Sequence, residues 1–266
     1  MRMKHLDFRS LLTNFGSLAL MWPNCTTIEK GMRLSLCLTA LTVLASGFAA
    51  ADVPDGYELV YSSNFADDDS KSGFAFSDAN AWRLGKAGDN DYLELFKGSE
   101  YKPAVRSPYN LGLIATQKFG DFVMEADLLQ TGGDYGHRDM CLFFGFQDPS
   151  HYYYVHISSQ SDNAAHQIFI VNDKPRTKIS ITTTKGIDWG RNVWRKVRLE
   201  RSLSDGTVKV FFEDMDKPIM TAEDKSFGAG FLGFGSFDDS GRVANVKIWA
   251  PESHPVDGTP DLFPKN

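Results

Sequence analysis

The chain has 266 residues, 42% of them apolar, and its 28 basic and 34 acidic side chains give a net charge of −6. That length allows one domain with a substantial core. The acidic balance disfavours nucleic acid or an anionic membrane as partner, although it leaves room for an anionic ligand held by a local arginine.

Residues 32–51 begin with Met32-Arg33, continue as an apolar stretch and end on the small residues Ala49-Ala-Ala51 before Asp52. This predicts a signal peptide cleaved near Ala51, hence a secreted or periplasmic protein. The apolar run is shorter than the roughly 20 residues that span a bilayer, so no membrane span is expected. Residues 1–31 read as an upstream extension outside the fold. Beyond residue 51 the chain keeps 23 basic and 32 acidic residues, a net charge of −9, and Cys141 is its lone cysteine. No intramolecular disulfide is expected, so stability must come from burial.

Twelve short β-like segments follow, at 57–61, 92–96, 111–115, 121–130, 140–147, 152–158, 166–171, 177–182, 194–201, 208–213, 231–237 and 244–249. Turns are legible at Asp148-Pro-Ser150, Asn172-Asp-Lys-Pro175 and Ser204-Asp-Gly206, where Gly, Pro, Asn and Asp supply the needed dihedrals. Helical period is almost absent. The pattern predicts an all-β, two-sheet antiparallel sandwich over residues 52–250. The tail 251–266, with four prolines, is expected as an extended or mobile end.

The densest chemistry lies between His137 and Gln167, which enclose four of the six histidines. In the strand 151–158, period-2 alternation sends Tyr153, Val155 and Ile157 to one face and Tyr152, Tyr154, His156 and Ser158 to the other. One face can join a core, and the other is a row of proton-transfer and hydrogen-bonding groups.

The segments Phe119-Gly-Asp-Phe-Val-Met-Glu-Ala-Asp-Leu128, Leu142-Phe-Phe-Gly-Phe-Gln-Asp-Pro-Ser-His-Tyr-Tyr-Tyr-Val-His156, Trp194-Arg-Lys-Val-Arg-Leu199, Val208-Lys-Val-Phe-Phe-Glu213 and Gly230-Phe-Leu-Gly-Phe-Gly-Ser-Phe237, followed by Ala244-Asn-Val-Lys-Ile-Trp249, resemble the concanavalin A-like lectin/glucanase superfamily, including its LamG-like members. The resemblance covers roughly residues 57–250. It implies a jelly roll of two curved antiparallel sheets whose concave face commonly carries a polysaccharide or oligosaccharide groove. It does not choose among lectins, glycosidases, lyases and adhesion domains.

A lyase needs a group to neutralise a uronate carboxylate, a base for the C5 proton and an acid for the leaving oxygen. Tyr154 and His156 share a strand face about 7 Å apart and are the candidates for proton transfer, with Arg138 or Gln167 for the carboxylate. A tyrosine made phenolate-like by a nearby arginine, or a neutral histidine, suits the base. His137 completes the candidate catalytic set, and Tyr152, His166, Gln167 and Arg106 are candidate ligand-binding residues. His166 and Gln167 point to opposite faces, and sequence alone leaves open which of them joins His156. The lyase signatures Arg-x-Glu-x-Arg and Gln-Ile-His are absent, since Gln167-Ile168 is followed by Phe169.

The hydrolase reading rests on Glu125-Ala-Asp127-Leu-Leu-Gln130, which resembles the Glu-x-Asp-x-x-Glu signature of jelly-roll glucanases. An amide at Gln130 cannot shuttle the proton that both steps of a retaining mechanism require. The competing class is a non-catalytic carbohydrate-binding or adhesion module. An open groove converging on Tyr, His and Arg favours chemistry, whereas a filled face favours adhesion. Trp82, Trp189 and Trp194 are possible sugar platforms, with Trp194 expected in the core. The acidic turns Asp238-Asp239-Ser-Gly241 and Asn64-Phe-Ala-Asp-Asp-Asp69 offer oxygens for a structural Ca²⁺.

Overall fold

The structure is a computed structural model that describes residues 53–88 and 90–264. The expectations for the signal peptide and the upstream extension lie outside the described residues. Among the described residues seventeen strands form: β1 Glu58–Ser63, β2 Phe74–Phe76, β3 Trp82–Ala87, β4 Asn90–Leu95, β5 Asn110–Phe119, β6 Phe122–Gln130, β7 Asp139–Asp148, β8 His151–Ser158, β9 Gln167–Asn172, β10 Thr177–Lys178, β11 Ser180–Thr183, β12 Arg195–Arg201, β13 Thr207–Phe212, β14 Met220–Glu223, β15 Gly230–Ser236, β16 Gly241–Ala250 and β17 His254–Pro255. Two 3-10 turns, Asp68–Gly73 and Ala79–Ala81, supply the helical residues among those described. No helix among them is long and apolar enough to cross a membrane.

The strands build two antiparallel sheets, the sandwich that the alternating segments predict. The first runs β11-β14-β13-β12-β6-β16-β4-β3, with β1 also on β16; the second runs β10-β9-β8-β7-β15-β5-β17, with β2 also on β5. Alternation decides what lies between them. Met124, Ala126 and Leu128 of β6, Phe144 of β7 and Val155 and Ile157 of β8 all enter the inter-sheet core.

The second sheet is buried on both faces. Its outward residues, among them Leu111, Leu113, Phe143, Tyr152, Tyr154, Phe169 and Phe231, form a second apolar cluster, against which Tyr101, Val105, Val256 and Phe263 pack. Two-sided burial explains why the stretch 140–146 is nearly all apolar instead of alternating. At Gly145, with φ of 58°, the β7–β8 register shifts, and the bulge returns Phe146 to the outward cluster beside Phe143.

The C-terminal tail is extended at β17, which pairs with Gln117 and Lys118. It is also docked: Leu262 is buried, and the Phe263 ring lies 5.6 Å from Tyr101 and 5.7 Å from Phe146. A few apolar side chains among prolines suffice to hold it, because the sheet beneath offers apolar surface that would otherwise meet water.

Candidate functional site

Strand β8 turns its side chains as period-2 alternation requires, but its outward face is dry. Tyr152, Tyr154 and His156 are 1%, 0% and 3% exposed. The expectation of an accessible row of acid–base groups is therefore corrected. An outward aromatic face is apolar enough to attract a cover, and the 97–109 loop, Arg176 and the tail provide it. Tyr154 stacks on Phe169 at 5.1 Å, and its hydroxyl accepts from Arg176 Nη1 at 2.8 Å. The Arg176 guanidinium in turn lies over Phe169 and Phe237, at 4.8 and 4.3 Å from the ring centroids.

Burial also removes the chemistry proposed for these groups. It drives the Tyr154 phenol well above its ordinary range despite the opposing charge of Arg176, so a phenolate base is not available near neutral pH. The His156 imidazole is lowered to about 3, first by desolvation and then by the charges of Arg176 and His137. Its Nδ1 accepts from the His166 backbone N–H at 3.4 Å.

The other sequence candidates gather at the same end of the sandwich, as a bracing network. His166, at φ of 53°, places its Nδ1 to accept from Ser158 N and its Nε2 beside Thr184 Oγ1 at 2.9 Å. Gln167 pairs directly with His156, which settles which of the two shares its face. The Gln167 amide donates to Ser161 Oγ and the Asp162 carbonyl, so it has no free carboxylate-binding edge. His137 makes an exposed 2.7 Å pair with Asp162. Arg138 turns inward, 4% exposed, and donates to Gln130 Oε1, Asp134 Oδ1 and the Gly190 carbonyl. Arg106 lies exposed over Phe237.

Asp139 is the hub of that end. Fully buried, it accepts from Ser236 Oγ, Phe237 N and Cys141 Sγ, while its own N–H donates to Asp239. Burial raises its carboxyl well above the usual range. Asp139, Asp238 and Asp239 bring ligand atoms within 4.8 Å of one another. Asp139 and Asp239 also accept protein O–H and N–H donors, including the Tyr135 hydroxyl on Asp239.

The hydrolase residues are also engaged elsewhere. Arg198 Nε and Nη2 both donate to Glu125 Oε1, and Asn245 donates to Asp127. Gln130 has the opposite strand parity and reaches Arg138. Trp82 and Trp189 are core residues, 2% and 1% exposed. Trp194, expected in the core, is instead half-buried against Tyr92.

Open clefts lie elsewhere among the described residues. At the same end as Asp139, a groove of about 830 Å³ is lined by Phe76, Tyr101 and Phe263 together with Asp78, Asn80, Glu100 and Asp261. Sequence reasoning missed it because its aromatics come from three separate non-alternating segments. The available signal was an aromatic stranded in each of two Pro-containing loops, Tyr101 before Pro103 and Phe263 before Pro264. The second cleft, about 640 Å³, is polar and includes Asn64, Asp67 and Asp69 of the other acidic turn with Lys247.

The two buried imidazoles predict acid lability. His166 is lowered to about 4 by burial and His156 to about 3. Both rings stay neutral in the fold while the unfolded chain binds protons below about 6.5. Their contribution is present above that pH and is lost as pH falls towards the folded values. The raised carboxyls of Asp139 and Asp239 and the raised His151 act with the opposite sign over part of the window, so the fall in stability is smaller than two imidazoles alone would give. Urea midpoints should drop from pH 7 to pH 5, and His156→Gln with His166→Gln should flatten the profile. A midpoint unchanged or rising at pH 5 would show that the rings are not held neutral.

The chain matches no protein-family model, and no curated protein matches it in sequence. Solved structures similar to it include carbohydrate binding module CBM66 from Bacillus subtilis, at 17% identity and TM-score 0.47, covering 66% of this chain and 95% of that one. A galectin-like-fold protein of unknown function from Bacillus subtilis is 11% identical with TM-score 0.49, covering 75% and 100%. Domain 4 of AbnA, an extracellular arabinanase from Geobacillus stearothermophilus, is 8% identical with TM-score 0.46, covering 78% and 97%. No functional residue is carried across at such distances.

Proposed function

We propose that this chain is an exported, non-catalytic carbohydrate-binding jelly roll. The observation that supports this reading is the groove lined by Phe76, Tyr101 and Phe263 beside Asp78, Asn80, Glu100 and Asp261, set against the complete burial of the Tyr154 and His156 pair. Sugar rings present C–H faces that pack on aromatic faces, and hydroxyls that donate to carboxylates and amide oxygens. The groove lining contains no Lys or Arg, so a neutral, hydroxyl-rich chain is the ligand it suits.

The test is affinity electrophoresis of the secreted protein in neutral and acidic polysaccharides, run with assays for reducing ends and for unsaturated-product absorbance. Retention by a neutral polysaccharide without product is expected. Tyr101→Ala and Phe263→Ala should each weaken binding by about 1 to 3 kcal/mol. Turnover abolished by Tyr154→Phe would restore the lyase reading, and turnover dependent on Glu125 would restore the hydrolase. Intact mass of the secreted form should correspond to a start near Asp52.

A further inference from the structure

Arg106 and Arg176 are brought to one aromatic ring. The Arg176 guanidinium lies 4.3 Å from the Phe237 centroid and that of Arg106 5.7 Å from it. The Arg176 backbone N–H donates to the Arg106 carbonyl at 3.0 Å, which ties the two segments together. Both segments are stiff, since Arg106 lies between Pro103 and Pro108 and Arg176 follows Pro175. Contact with the buried Phe237 ring holds each guanidinium in place, so the donor forks are arranged before anything binds.

Like charges so placed repel unless something compensates them. Among the described residues neither guanidinium has an ion-pair partner. Asp238, next to Phe237 in the chain, instead brings its carboxylate within 4.8 Å of those of Asp139 and Asp239. Asp162 pairs with His137, and Asp173 with His151. The donors are also open. Arg176 Nη1 donates to the Tyr154 hydroxyl at 2.8 Å, which leaves its Nε and Nη2 without a partner among the described residues. The unpartnered side-chain atoms that are buried belong to Trp82, Gln130, Trp189 and Arg201, so these two nitrogens reach the surface. Arg106 is exposed, and none of its five N–H groups is hydrogen-bonded among the described residues.

We infer that Arg106 and Arg176 form a binding site for an oxyanion carried on a sugar, a carboxylate or a sulfate ester. Each of these groups offers several acceptor oxygens in fixed geometry, which a guanidinium fork matches two bonds at a time. The oxyanion follows from the unpaired charges, whereas the sugar that carries it rests on the carbohydrate-binding reading above. The site shares no residue with the aromatic groove.

The test titrates glucose 6-sulfate, D-glucuronate, glucose and inorganic sulfate into the full secreted protein and follows the arginine Nε–H resonances in ¹⁵N spectra. At least one sugar acid should shift the Arg106 and Arg176 signals, and the tighter of the two names the substituent. Glucose and inorganic sulfate should bind at least about tenfold more weakly. Arg106→Ala removes a side chain with no hydrogen bond or ion pair among the described residues, so the fold should survive while affinity falls about tenfold or more. Arg176→Gln keeps a donor for Tyr154 while removing the charge, and should do the same. Lys209→Ala, an equal charge change on an exposed position of the other sheet, should leave affinity unchanged. Arginine signals unmoved by both sugar acids, parent-like affinity in Arg106→Ala, or an equal loss in Lys209→Ala overturns the site. Glucose binding as tightly as the sugar acids overturns recognition of the oxyanion, and inorganic sulfate binding as tightly overturns recognition of the sugar. Retention of a neutral polysaccharide while neither sugar acid shifts the arginines would count against this site alone, and the converse against the groove alone.

Discussion

Asp139→Ala is expected to destabilise the domain by about 3 to 5 kcal/mol. The carboxylate is fully buried and joins two neighbouring strands: it sits at the start of β7 and accepts from Ser236 Oγ at the end of β15 and from the following Phe237 N, each at 2.9 Å. Truncation leaves these donors, and the Cys141 thiol at 3.1 Å, without an acceptor in a place water cannot reach. Asp139→Asn keeps the shape and one acceptor oxygen, so about half that loss is expected. Urea unfolding at pH 7 measures both. An alanine variant within about 1 kcal/mol of the parent would mean that the 237–241 turn is held by other contacts.

Gly235→Ala should cost a comparable amount, about 3 kcal/mol or more. On β15 a Cβ at this position would overlap the Asn110 carbonyl oxygen of β5 and meet the Phe143 ring of β7 at 3.0 Å. Both obstacles sit on flanking strands, so neither can yield without opening the sheet. Gly228→Ala, where a Cβ meets nothing within 4 Å, should be close to neutral. Equal thermal midpoints for the two variants would show that β5 and β15 can separate at little cost.

Much of the fold is a local property of the chain. Alternation alone assigns Val155 and Ile157 to the core and Tyr154 and His156 to the opposite face, because successive side chains of a strand must point to opposite sides. The repeated glycines at 230, 233 and 235 mark the strand that its neighbours approach most closely. Strands β2, β3, β14 and β17 escaped the sequence reading. β3 is a polar edge strand, and β2, β14 and β17 have only three, four and two residues, so none carries enough alternation to register.

The candidate site was read less well, since facing and accessibility are different quantities. Period 2 says on which side of a sheet Tyr154 lies, and nothing in the 151–158 segment says what lies on top of it. That is decided by Arg176, 22 positions away, by the 97–109 loop, and by a tail whose Phe263 packs on Phe146. In the same way, the left-handed turn at His166 and the β8–β9 register, not composition, put Gln167 beside His156. The sandwich and the sidedness of its strands are legible in the chain because short-range geometry sets them. Which polar groups stay wet is settled on folding, because burial depends on distant segments finding apolar surface to cover.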